Sequence, residues 1–204
     1  MHKLLYARVS PFSRKARVTS IEKKIESSIE LIECAPFESP DLLLSANPLS
    51  KVPVLIMANG TSLYDSSCIC EYLDSIGSGS RLIPSENAKK WGVLKGQALA
   101  DGLTDAAVLV VLEQRRPESE RSQKWADRQM AVIRRSLAYF EKEIEARAEE
   151  LTIDQIALAC ALGYLEFRLP NYDWKGAHPN LNRWNSRFQE RPSMLATKHP
   201  CARA

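Results

Sequence analysis

Hydrophobic periodicity changes once along this 204-residue chain, near residue 76, and that change constrains the fold more than anything else in the sequence. Before it, short strand-like and helix-like runs alternate: strands over 3–6, 28–33, 54–57 and 61–64, and helices over 11–24, 40–46 and 66–76. Asn47-Pro48 stops the second helix. Asn59-Gly60 separates the last two strands and predicts a type I′ hairpin, because both residues tolerate positive φ. The order βαβαββα predicts an α/β domain over 1–76 with a mixed four-stranded sheet. Gly77-Ser78-Gly79-Ser80 reads as a flexible break and opens a linker over 77–84. Everything after it, 85–204, is helical in period and predicts an all-α bundle. Its helices are expected over 86–116, 118–149 (with Ile133, Leu137, Phe140 and Ile144 on one stripe), 156–167 and 179–190, the last ended by Arg191-Pro192. Thr152-Ile153-Asp154-Gln155 is a capping box, and the run it opens is apolar on nearly every face, which suits the centre of a bundle.

Composition narrows the classes of function. Hydrophobic residues at 45% and charged ones at 26% are ordinary for a soluble globular protein. No apolar run is long enough to span a bilayer, and no export signal is recognised at the N-terminus. The net charge of +3 is small and its Lys and Arg are interleaved with Asp and Glu, so nucleic acid is not an expected partner. Five scattered cysteines, Cys34, Cys68, Cys70, Cys160 and Cys201, read as reduced thiols of a cytoplasmic protein. Cys68 and Cys70 are expected to be buried and structural. His2, His178 and His199 show no metal-ligand spacing with them, and no metal is expected.

Chemistry concentrates in three short stretches. Ser10-Pro11-Phe12-Ser13 lies between the first strand and first helix, with Pro11 at the first helical position. Free N–H groups and the positive end of the helix dipole there favour an anion, such as a thiolate. In thioredoxin-like redox proteins this place holds Cys-x-x-Cys; here both are serine, so any reacting sulfur must come from a bound thiol. Lys51-Val52-Pro53-Val54 leads into the third strand, and a cis Val52–Pro53 bond would turn the Val52 backbone outward as a docking edge for a peptide-like ligand. Asp65-Ser66-Ser67 opens the third helix, where Asp65 or Ser66 serves as an N-cap and could also hold a ligand's ammonium and carboxylate.

In this order these stretches resemble the glutathione S-transferase family, in the style of bacterial cytosolic members. The resemblance is carried by Ser10-Pro11-Phe12-Ser13-Arg14-Lys15, by 47–55, by Asp65-Ser66-Ser67-Cys68-Ile69-Cys70-Glu71-Tyr72-Leu73, by the capped helix over 151–168, and by His178-Pro179-Asn180-Leu181 with Arg191-Pro192-Ser193. It implies a thioredoxin-like first domain that holds glutathione as cosubstrate, a helical second domain forming the wall for a small electrophile, and a homodimer engaged in detoxification. Carried over, Ser10 would activate the thiol. Val52 would pair with the cysteinyl backbone, Asp65 and Ser66 would hold the γ-glutamyl end, and Lys51 would meet the glycyl carboxylate. Tyr6, near the end of the first strand, is the rival to Ser10, since some classes use a tyrosine there. A glutathione-binding or protein-interaction module with little turnover is the alternative function. Ser50 stands where many relatives have glycine, and Gln155 where aspartate is common. The apolar wall over 86–116 (Leu103, Ala106, Ala107, Val110) names no substrate, and the sequence does not show which of these side chains face the cleft. Asp101 and Asp105 are expected to bond within the bundle.

Overall fold

The computed structural model describes residues 1–146 and 150–200, with the side chain of 146 left aside. Two compact units form: Met1–Lys90 with Pro192–Pro200, and the segment Trp91–Arg191. In the first, strands β1 (His2–Tyr6), β2 (Ile29–Glu33), β3 (Val54–Ile56) and β4 (Ser62–Leu63) make one sheet in the order β2-β1-β3-β4. The β1–β2 pair is parallel and needs a crossover, which α1 (Pro11–Glu22) supplies; β3 and β4 join antiparallel. Both Leu4 and Leu5 are fully buried because the sheet is covered on both faces. On one side Leu5 and Val54 pack with Leu43 and Ala46 of α2 (Asp41–Ala46). Helix α3 (Ser66–Ile76) packs along α1. This is the expected thioredoxin-like sheet.

Three local expectations change. Only Gly60 of the Asn59-Gly60 pair has positive φ (87°), so the type I′ turn is replaced. Gly60 N–H donates to Met57 O at 2.9 Å and Met57 N–H to Thr61 O at 2.8 Å, which makes Ala58 and Asn59 the centre of the turn and Gly60 its left-handed exit. The glycine- and serine-rich break is fastened rather than loose. Lys23 and Asp74, with side chains 2% exposed, pair at 3.0 Å. Lys23 Nζ also donates to Ser80 O, and Asp74 accepts from the N–H groups of Leu82 and Ile83 at 2.9 and 3.1 Å. Removing one member of such a pair leaves a buried charge and costs about 3–5 kcal/mol. Finally, the chain beyond Arg191-Pro192 forms one more short helix (Pro192–Ala196) and belongs to the sheet unit, where 85–204 was expected to be one domain. Its reason is Arg14, 4% exposed, whose guanidinium donates to Met194 O at 3.1 Å.

The second unit is helical. Helix α4 (Asn87–Arg115) runs into it, followed by α5 (Gln123–Glu143), α6 (Ile153–Arg168) and α7 (Pro179–Gln189); the Pro192–Ala196 helix of the first unit is α8. The single helix expected over 118–149 starts late, because Ser122 caps α5 through the N–H of Trp125; residues 147–149 lie outside the described set. The capping box at Thr152 is present, with Thr152 N–H donating to Gln155 Oε1 at 3.3 Å. Behind it Ile156 to Leu162 are all buried, and each fully buried Leu or Ile contributes roughly 1.5–3 kcal/mol. Glu141 accepts the N–H groups of Asn180 and Leu181 at 3.1 and 2.8 Å and so fastens the start of α7 to α5. Among the described residues no helix is long and apolar enough to cross a membrane.

Candidate functional site

Strand pairing alone brings the three sequence stretches to one end of the sheet. Leu5 of β1 pairs with Val54 of β3, so the exit from β1, which leads to Ser10, lies beside the entry to β3, which follows Val52. Leu55 pairs with Leu63, so the exit from β4, which leads to Asp65, lies at that end too. Lys15 of α1, 1% exposed, spans the space to α3 by donating to Ser67 Oγ at 3.4 Å.

Ser10 is the N-cap of α1, with φ −81° and ψ 122°, and Pro11 opens the helix. Its Oγ accepts the Ser13 N–H at 3.2 Å. The hydroxyl proton has no acceptor among the described residues and remains to be donated. Ser13 is fully buried and accepts the Ala7 N–H, which fixes the turn. No acidic residue occupies the first turn of α1, and Arg14 and Lys15 follow, so the field at this helix end is positive. Tyr6 sits in other company. It is 7% exposed, and its ring lies 5.0 Å from the Arg17 guanidinium.

The loop before β3 has a cis Val52–Pro53 bond, as its position predicts, and Val52 is half-buried while Lys51 is exposed. Asn47 organises this loop, a role beyond the helix stop it was read as. It is 1% exposed, its Nδ2 donates to Lys51 O at 2.9 Å and its Oδ1 accepts the Leu49 N–H at 3.0 Å. Ser50 has φ 50°, a left-handed conformation that explains glycine in relatives, and its Oγ lies 2.9 Å from Ser39 Oγ. Asp65, also exposed, caps α3 by accepting the Ser67 N–H at 2.9 Å, and the Tyr64–Asp65 bond is cis. Ser66 is 2% exposed and its hydroxyl bonds to no described residue.

Several expected residues lie elsewhere. Leu103, Ala106, Ala107 and Val110 belong to the interior of the helical core, because α5 and α6 cover that face of α4; Trp91 and Leu109 are the large apolar side chains α4 leaves exposed. Asp105 is exposed and Asp101 half-buried. Cys70 is buried, but Cys68 is exposed, against expectation, since it lies on the outer side of α3. Its thiol is pushed up by partial burial and by the charges of Asp65 and Glu71, which disfavours a reactive thiolate. Burial likewise raises Cys34. Cys201 lies outside the described residues. Among the described residues no cluster of His, Cys, Asp and Glu could hold a metal ion.

With this geometry in hand, comparison with known proteins is informative. The family model described as "Glutathione S-transferase, N-terminal domain" matches residues 4–81, and "Glutathione S-transferase, C-terminal domain" matches 123–184. The uncharacterized GST-like protein YibF of Escherichia coli K12 is 34% identical over 203 residues, covering 98% of this chain and 100% of that protein. A crystal structure of a glutathione transferase family member from Pseudomonas fluorescens Pf-5, with bound glutathione, superposes with a TM-score of 0.95 at 40% identity, covering 98% of this chain and 100% of that one. A Pf-5 structure with bound S-(propanoic acid)-glutathione gives 0.89 at 40% identity with the same coverage.

Proposed function

The chain belongs to the glutathione S-transferase family, and from that premise we propose that it is a glutathione transferase, activating the thiol of bound glutathione for attack on a small electrophile. One observation carries the proposal. Ser10 caps a helix whose N-terminus holds no carboxylate, and it keeps a hydroxyl proton to donate. Donation to sulfur favours the thiolate and lowers the thiol pKa. Val52 then pairs its backbone with the cysteinyl unit. Asp65 takes the γ-glutamyl ammonium, and Ser66 with the first N–H groups of α3 takes its carboxylate. Lys51 meets the glycyl carboxylate. The thiol gives its proton to solvent, the thiolate lone pair forms a C–S bond, and the leaving group departs with the electron pair of the bond that breaks. The Pf-5 relative's capacity to hold an S-substituted glutathione supports this reading. Cys34, Cys68, Cys70 and Cys160, present as thiols, fit a reducing, cytoplasmic setting, and exposed Phe37, Leu42 and Leu49 offer apolar surface for a homodimer.

The test is thiolate absorbance against pH, with conjugation rates for wild type, Ser10→Ala and Tyr6→Phe. Ser10→Ala is expected to raise the bound thiol's pKa and slow conjugation ~10- to 100-fold, as loss of a hydrogen bond to a charged group does. Tyr6→Phe is expected to retain the thiolate. The opposite pattern transfers the role to Tyr6, and binding without conjugation across electrophile classes leaves a glutathione-holding module.

A further inference from the structure

A polar cavity of about 300 Å³ lies within the first unit, bounded by Tyr6, Arg8, Arg17, Ala196, Lys198 and Pro200. Its walls are held in place. Arg14 fastens α8 to α1 through Met194 O, Ser193 Oγ donates to Glu22 of α1, and His199 Nδ1 lies 3.3 Å from Arg8 O. Three cations face it. Arg8 is paired with Glu33 at 2.9 Å. Arg17 is half-buried; its guanidinium stands 5.0 Å from the Tyr6 ring centroid and donates no hydrogen bond to any described residue. Lys198 is exposed at the rim and forms no ion pair among the described residues. One carboxylate against three cations leaves an excess of two positive charges. Burial pushes the Arg17 guanidinium down from its ordinary value, and the charges of Arg8 and Arg14 push the same way, although Tyr6 and Glu33 oppose them. A protein holds cations this close at a cost unless something of opposite charge joins them.

We propose that this cavity binds a phosphate group carried by a small molecule. A phosphate dianion matches the charge excess, and its oxygens suit the fork of N–H donors on Arg17 and the point charge of Lys198. The cavity is larger than the ion alone, so a phosphate monoester with a short organic body fills it better than inorganic phosphate.

Titration calorimetry of the full chain at fixed ionic strength tests this, with inorganic phosphate, glycerol phosphate and acetate as probes. Glycerol phosphate is expected to bind more tightly than inorganic phosphate, and acetate weakly. Arg17→Met should weaken glycerol phosphate about tenfold or more, the usual worth of charge-assisted hydrogen bonds, and the exposed Lys198→Met about threefold. Glutathione affinity should stay unchanged in both variants, which separates failure here from failure of the transferase reading. If Arg17→Met does not fold, the Lys198→Met ratio decides alone. Absence of binding to the wild-type chain, equal binding of acetate, or affinities indifferent to both substitutions overturns the proposal.

Discussion

Helices α1 and α3 start at the same end of one sheet, yet their first turns are built for different charges. Ser10 caps α1 with a neutral hydroxyl, and buried Arg14 and Lys15 follow it. Asp65 caps α3 with a carboxylate that accepts the Ser67 N–H at 2.9 Å. Both residues serve the helix equally well, since Ser and Asp rank together as N-caps. They differ in what they leave for a ligand. The α1 end favours an anion, whereas the α3 end adds an acceptor for a cation beside N–H groups that still suit a carboxylate. A zwitterionic γ-glutamyl group suits the second and a thiolate the first.

Making the two ends alike is the strongest way to break this contrast. Ser10→Asp keeps the cap, so the melting temperature is expected to stay within a few degrees, but it places a carboxylate against the sulfur and should reduce conjugation at neutral pH by ~100-fold or more. Thermal melts beside conjugation rates read both effects; a retained rate with an intact fold would show that sulfur does not approach Ser10. A smaller effect is expected at the other end. Asp65→Asn retains a capping oxygen but loses the charge, and glutathione affinity should fall about tenfold by calorimetry while stability holds. Equal affinity would mean that the γ-glutamyl ammonium is held elsewhere. The smallest change sharpens the comparison from the loop between them. Ser50→Gly relieves a left-handed φ of 50° but gives up the exposed bond to Ser39. Its net effect is expected to be a gain of about 0.5 kcal/mol, or a rise of ~1–2 °C in Tm, with glutathione binding unaltered.

Features legible in the sequence are those settled within a few residues. Ser10 to Ser13, Asp65 to Ser67 and Thr152 to Gln155 each close a cap over two or three positions, and each appears in the structure. Harder to read were charges whose partners come from remote segments. Arg14 meets Met194 across 180 positions, and Lys15 meets Ser67 across 52. Nothing near either residue announces burial, because a basic run on a helix ordinarily faces water. The linker misled for a related reason: Gly77 to Ser80 has the composition of a flexible chain, but Asp74, a turn of helix earlier, supplies the carboxylate that Leu82 and Ile83 bind.

By itself the sequence determined the order of elements, the mixed sheet, the apolar central helix α6 and the local form of the stretches around Ser10, Val52 and Asp65, because periodicity and capping act through neighbours along the chain. Tertiary structure decided the rest. Strand register, with Leu5 against Val54 and Leu55 against Leu63, gathered Ser10, Val52 and Asp65 at one end of the sheet. Packing turned Leu103, Ala106, Ala107 and Val110 into the core, and the return of α8 to the sheet unit closed a basic cavity around Arg17. Each of these depends on which surfaces meet when apolar area leaves water, and that choice is made between segments distant in sequence.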